Sequence, residues 1–150
     1  MLDPMMFEIA KQSRRQMEVF SRRGVSPYTL PCLACLCAIS SSFLRRLARF
    51  FDMSDVELVY GFYGSKDHCW NEYKGYIIDI TATQFDEPNP ILIAEVGDRR
   101  YHRAVYVDSE VFFDEWNEQS PLMYDDYLDE HFEKAKERVT KRLLGREFQG

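Results

Sequence analysis

The stretch His68-Cys-Trp-Asn-Glu-Tyr-Lys-Gly-Tyr-Ile-Ile-Asp-Ile-Thr81 constrains this chain more than any other. Aromatic and β-branched residues flank Lys74-Gly75, which reads as a two-residue turn between antiparallel strands. That turn sets the register: Tyr73 faces Tyr76, Trp70 faces Asp79 and His68 faces Thr81. Side chains alternate along a strand, and opposed residues share a face. His68, Trp70, Ile77, Asp79 and Thr81 therefore point one way, and Cys69, Asn71, Tyr73, Ile78 and Ile80 the other. His68 and Asp79 become diagonal neighbours, with Cβ atoms ~7 Å apart or somewhat less. Asp79 sits among Ile77, Ile78 and Ile80. A carboxylate buried in such a strand is costly unless paired, and His68 is its nearest same-face partner.

The rest of the chain supplies elements on either side. Asp3-Pro4 offers an N-cap and a first-turn proline, and Met5, Met6, Ile9, Met17 and Phe20 follow near helical spacing up to Gly24. Residues 25–34 hold two prolines and read as a loop. A second helix is expected from about Leu36 to Phe51, burying Ile39, Phe43, Leu47 and Phe50. Its early serines, Ser40 to Ser42, keep side chains small where another element could come close. Residues 56–63 read as a strand, 82–90 as a turn-rich connection, and 91–96 with 101–107 as a further antiparallel pair around Gly97-Asp98. Segment 108–124 carries no clear period. Leu128, Phe132, Ala135, Val139 and Leu143 mark a final amphipathic helix over about 125–144, ended by Gly145. Helices, then sheet, then helix predict one α+β domain over residues 1–150, an antiparallel sheet packed against helices.

Charge and cysteine usage bound the function. A net charge of −6 argues against general nucleic-acid binding. Residues 108–133 carry carboxylates and no lysine or arginine, which reads as a solvated face or an acidic surface for a basic partner. No run approaches the ~18 apolar residues of a membrane span. No secretory leader is visible, and Cys32, Cys35 and Cys37 lie too close together to pair readily, so a reducing cytoplasm is the expected compartment.

Cys37 opens the second expected helix, where the macrodipole and free N–H groups lower a thiol's pKa and could stabilise an oxyanion. Cys35 and then Cys32 are the alternatives, given the error in placing a helix start. Cys69 falls on the opposite face from His68 and reads as a small core residue. A thiol at a helix start with a strand-borne His/Asp pair is the equipment of thiol-based acyl transfer, Asp79 orienting His68 and His68 activating Cys37. Trp70 could wall such a site, and Gln84, just past the Asp79 strand, could add a polar contact. His102, among Arg99, Arg100 and Arg103, and His131, in the acidic final helix, read as structural or solvated.

These residues resemble the transglutaminase-like branch of the papain-like cysteine enzymes, in His68-Cys-Trp70-Asn-Glu72, in Asp79-Ile-Thr81 and in Cys37-Ala-Ile-Ser, over roughly residues 30–85. Many members have Gly before the cysteine and Trp after it, where this chain has Leu36 and Ala38. The resemblance implies a papain-like core with the nucleophile at a helix N-terminus. It also implies acyl transfer through a thioester, with Cys37, His68 and Asp79 as the triad, no cofactor, and a protein or peptide substrate. The acceptor could be water or an amine, so protease, deamidase and transferase remain open.

Two other readings stand beside it. Cys32-x-x-Cys35 has the spacing of half a zinc knuckle, which His68-Cys69 could complete, though the opposed facing of residues 68 and 69 works against it. The fold could also be catalytically silent, binding a partner or ligand through the acidic segment and its aromatics (Phe112, Phe113, Trp116, Tyr124, Tyr127). Selective alkylation separates that binder from an enzyme.

Overall fold

In a computed structural model the hairpin lies at the centre of a curled, five-stranded antiparallel sheet. The structure describes residues 2–22, 36–105, 107–119 and 126–149. Strands β1 (Glu57–Tyr63), β2 (Lys66–Tyr73), β3 (Tyr76–Asp79), β4 (Leu92–Glu95) and β5 (Tyr101–Arg103) are ordered β4-β3-β2-β1-β5. Among the described residues four α-helices accompany them: α1 (Pro4–Arg22), α2 (Cys37–Phe50), α3 (Ser109–Gln119) and α4 (Asp126–Gln149). Cys32, Cys35, Gly24 and the proline-bearing loop lie outside the described residues.

The turn at Lys74-Gly75 has the expected geometry. Both residues have positive φ, 47° and 83°, as a primed hairpin turn requires, and Tyr73 pairs with Tyr76. The two faces then separate by parity. Val59, Trp70, Ile77, Leu92 and Tyr101 fill the concave side of the sheet. Tyr73 and Ile78 join the larger core beneath the helices, built from Met6, Ile9, Met17 and Phe20 of α1, Ile39, Phe43 and Leu47 of α2, and Leu128, Phe132, Ala135 and Val139 of α4. The Asp3 carboxylate caps α1 by accepting from the Met5 N–H at 2.8 Å. The small serines of α2 do admit a neighbour: the buried Asn71 side chain donates to the Ser41 carbonyl at 3.1 Å.

Four expectations need correction. Segments 91–96 and 101–107 are not a hairpin, because β4 pairs with β3 and β5 with β1, on opposite edges of the sheet. The residues between them make local turns, and Val96 N–H and Arg100 C=O bond instead to Gly75 and Gly64, at the two ends of β2. The later strand spans only Tyr101–Arg103. Phe50 is 53% exposed rather than buried, stacked edge-on against Phe51 at the end of α2. Gly145 does not end the last helix, which runs to Gln149. The unassigned segment contains α3, capped by Asp108 through the Glu110 and Val111 N–H groups, with Phe113 buried against Leu58 and Cys69.

Curling of the sheet is what assembles the site. Three strand spacings separate β5 from β3, ~14 Å on a flat sheet, farther than a tyrosine side chain extends. Yet the Tyr101 hydroxyl on β5 lies 2.7 Å from the Asp79 carboxylate at the end of β3. Gly61 helps the strands close. A Cβ there would lie 2.6 Å from the Trp70 ring and 2.9 Å from the Arg103 Cα, so only glycine leaves room.

Candidate active site

Asp79 is the last residue of β3, buried to 1% exposure, and donors surround its carboxylate. Oδ2 lies 2.7 Å from His68 Nε2 and accepts from the Tyr101 hydroxyl at 2.7 Å. Oδ1 accepts from the Thr81 backbone N–H at 3.0 Å and its hydroxyl at 3.4 Å. Four donors offset the cost of burying a carboxylate among isoleucines. With Nε2 engaged by Asp79, the ring of His68 is left to act through Nδ1. The Gln84 amide, on a short 3-10 turn over Ala82–Phe85, stands 3.3 Å from that nitrogen.

An aromatic enclosure fixes the imidazole. Phe85 meets it edge-on at 4.8 Å and Tyr63 at 6.2 Å, while Trp70 and Tyr101 lie tilted at 6.1 and 6.5 Å. Trp70 itself is buried, its indole N–H donating to Glu72 at 3.1 Å. It therefore supports the ring from within the concave core rather than presenting a surface to solvent.

Cys37 is the first residue of α2 and is partly exposed. The pairing of β2 with β3 covers only Asn71–Tyr73, so the expected Trp70–Asp79 and His68–Thr81 pairs do not form and the β2 backbone continues past β3 without that partner. Beyond the end of that ladder the Cys37 sulfur comes close to Cys69 and His68, both of which lower its pKa. One sulfur thus has a neighbour from each face of the strand.

The electrostatics follow from these contacts. Hydrogen bonding from the Cys69 thiol lowers the pKa of Cys37 most; burial opposes it, and the bond and charge of His68 add to the lowering, bringing it to about 5. Burial works against a charged His68, but the charge and hydrogen bond of Asp79, with help from Cys37, outweigh it and raise the imidazole to about 9. Cys69, giving its proton toward Cys37, is held strongly in the thiol form. Between roughly pH 5 and 9 the favoured pair is thiolate and imidazolium.

Of the residues singled out from sequence, Cys37, His68, Asp79 and Gln84 meet at one place, with Trp70 directly beneath. Comparison with protein-family models, curated proteins and solved structures found no match. The site must be read from its own atoms.

Three contributors escaped the sequence reading. Tyr101 is one, because its strand seemed to belong to a hairpin with 91–96. Phe85 and Tyr63 are the others; they stack on each other at 4.5 Å, in segments read as a turn-rich connection and an ordinary strand. Cys69 is buried on the helix side as expected, but its thiol also bonds the candidate nucleophile.

Other features lie elsewhere. A cavity of about 560 Å³ between α2, β1 and the start of α3 is lined by Arg45, Arg49, Glu57, Arg103 and Glu110, with none of the site residues. Among the described residues no group of three or more His, Cys, Asp or Glu could hold a metal ion, and Cys32 and Cys35 lie outside them. Likewise no described helix is long and apolar enough to cross a membrane. His102 is exposed, whereas His131 is fully buried, its Nδ1 2.8 Å from the Gln16 side chain, a structural place far from solvent.

Proposed function

We propose that this chain is a thiol enzyme of the transglutaminase-like, papain-like kind, transferring an acyl group from an amide or thioester through a covalent thioester on Cys37. The observation that carries the reading is the buried His68–Asp79 bond of 2.7 Å, beside a sulfur at the first residue of a helix whose pKa His68 lowers.

The Cys37 thiolate attacks the carbonyl carbon of a protein or peptide substrate. Negative charge gathers on the carbonyl oxygen, and the first-turn N–H groups of α2 are its stabilising donors; Leu36 at the N-cap has no side-chain acceptor to occupy them. The His68 imidazolium gives its Nδ1 proton to the leaving amine or thiol, and the thioester remains. Neutral His68 then takes a proton from the acceptor, water or an amine, which attacks the thioester and frees the sulfur. Asp79 keeps the ring in one orientation and stabilises its charged form.

Competitive alkylation tests the reading. Iodoacetamide at pH 6.5, at limiting reagent, is expected to label Cys37 at least about tenfold faster than any other cysteine, because only a thiolate reacts. Cys37→Ser should remove that fast phase and all turnover of activated acyl substrates. Equal, slow labelling at all four cysteines would sink the enzyme and leave a fold that binds without reacting.

A further inference from the structure

Acyl transfer needs one sulfur, yet among the described residues two stand at the site. Cys69 sits on β2 facing the helices, packed with Ala38, Leu58 and Phe113 in a cluster against which Cys37 also packs. Any small apolar residue would fill that volume. Instead a thiol is present, buried and free, in the cluster against which Cys37 packs. The two sulfurs come from different elements, the start of α2 and the middle of β2, which the same buried cluster brings side by side.

We propose that Cys37 and Cys69 form a hydroperoxide-reactive dithiol that closes to an intramolecular disulfide. The Cys37 thiolate attacks the distal oxygen of the peroxide, and the O–O bond breaks. This gives a sulfenic acid at Cys37 and a hydroxide that leaves as water with a proton from His68. Oxidation removes the negative charge that held the Cys69 proton in place. The Cys69 sulfur then attacks the sulfenic sulfur, the S–O bond breaks, and the hydroxide departs with the Cys69 proton as a second water. Two thiols are oxidised by two electrons and one hydrogen peroxide is reduced to two waters. A low-pKa thiol that is partly open to solvent, beside a resolving thiol that is closed to it, is the arrangement that channels oxidation to a reversible product. Cys69 also protects the site: without it, sulfenic acid would persist and oxidise further, beyond recovery by thiols.

Mass spectrometry reads this without reference to acyl transfer, so its failure and the failure of the enzyme reading are distinguishable. The full chain is treated with a few equivalents of hydrogen peroxide, its remaining thiols are blocked, and it is digested without reductant. The expected product is a Cys37–Cys69 linked peptide pair, with loss of two hydrogens from the intact chain and recovery of both thiols on adding dithiothreitol. In Cys69→Ala the same dose should leave sulfinic or sulfonic acid at Cys37, with thiol recovery reduced about tenfold. A wild-type chain that links Cys37 to Cys32 or Cys35, or that gathers sulfinic acid at Cys37 while Cys69 stays free, overturns the proposal. The wild-type result decides even if Cys69→Ala folds poorly.

Discussion

At the scale of single residues, the site turns on how many donors one carboxylate holds. Asp79 binds His68 and Tyr101 through the same oxygen, so both partners depend on its charge. In Asp79→Asn the burial of His68 would be opposed by Cys37 alone, and its pKa should fall well below about 9. Cys37 then loses the cation beside it, and its pKa climbs from about 5 toward the usual thiol range. The rate of Cys37 alkylation against pH should show its acid limb moved upward, with at least a tenfold loss at pH 6.5. An unmoved limb would mean that Asp79 only holds shape. Tyr101→Phe removes a donor and leaves the carboxylate charge. The buried oxygen loses one hydrogen bond, which should cost about 1–3 kcal/mol in denaturant unfolding, while the alkylation limb stays near pH 5. The His/Asp pairing was legible in the sequence because it needed only the parity of one hairpin. Tyr101 was not, because a contact across three strands depends on sheet curvature, which no local pattern encodes.

At the scale of elements, period and turn chemistry carried the central hairpin and both long helices, and failed where partners decide. The stretch around Gly97-Asp98 has hairpin composition, but β4 and β5 each found a deeper partner in β3 and β1. Phe50 kept the helical spacing of its stripe yet lies at the rim of the core, edge-on to Phe132 at 6.5 Å with Lys136 over its ring at 4.4 Å. Two glycines test how far elements rather than side chains set the structure. Gly61→Ala pushes a methyl group into the Trp70 ring and the β5 backbone, and should cost about 1–3 kcal/mol of stability, read as a lowered midpoint in urea. Gly145 lies inside α4 with no heavy atom within 4 Å of an added Cβ. Gly145→Ala should raise stability by about 0.4–1 kcal/mol, since it only narrows the unfolded ensemble. A loss there would show that the helix does not continue through position 145.

At the scale of the molecule, the reacting groups and the largest core occupy different layers. Cys37, His68, Asp79 and Tyr101 sit where α2 meets the curled sheet, whereas α1 and α4 grip α2 and the sheet from the helix side. Phe132 of α4 is central to that grip: it packs edge-on against Phe43 at 6.0 Å, with the Arg46 guanidinium 3.9 Å over its ring. Its ring contacts among the described residues, with Phe43, Phe50, Arg46 and Lys136, include none of the site residues. Phe132→Ala should therefore separate stability from reactivity. Emptying that place costs about 3–5 kcal/mol, the range for a buried phenylalanine, and thermal unfolding should shift down accordingly. Well below the new midpoint, the second-order rate constant for alkylating Cys37 at pH 6.5 should stay within about twofold of the parent, because a folded molecule keeps the thiolate and its partners whole. A matching fall in both quantities would mean that the helix layer sets the position of α2, and with it the distance from sulfur to imidazole.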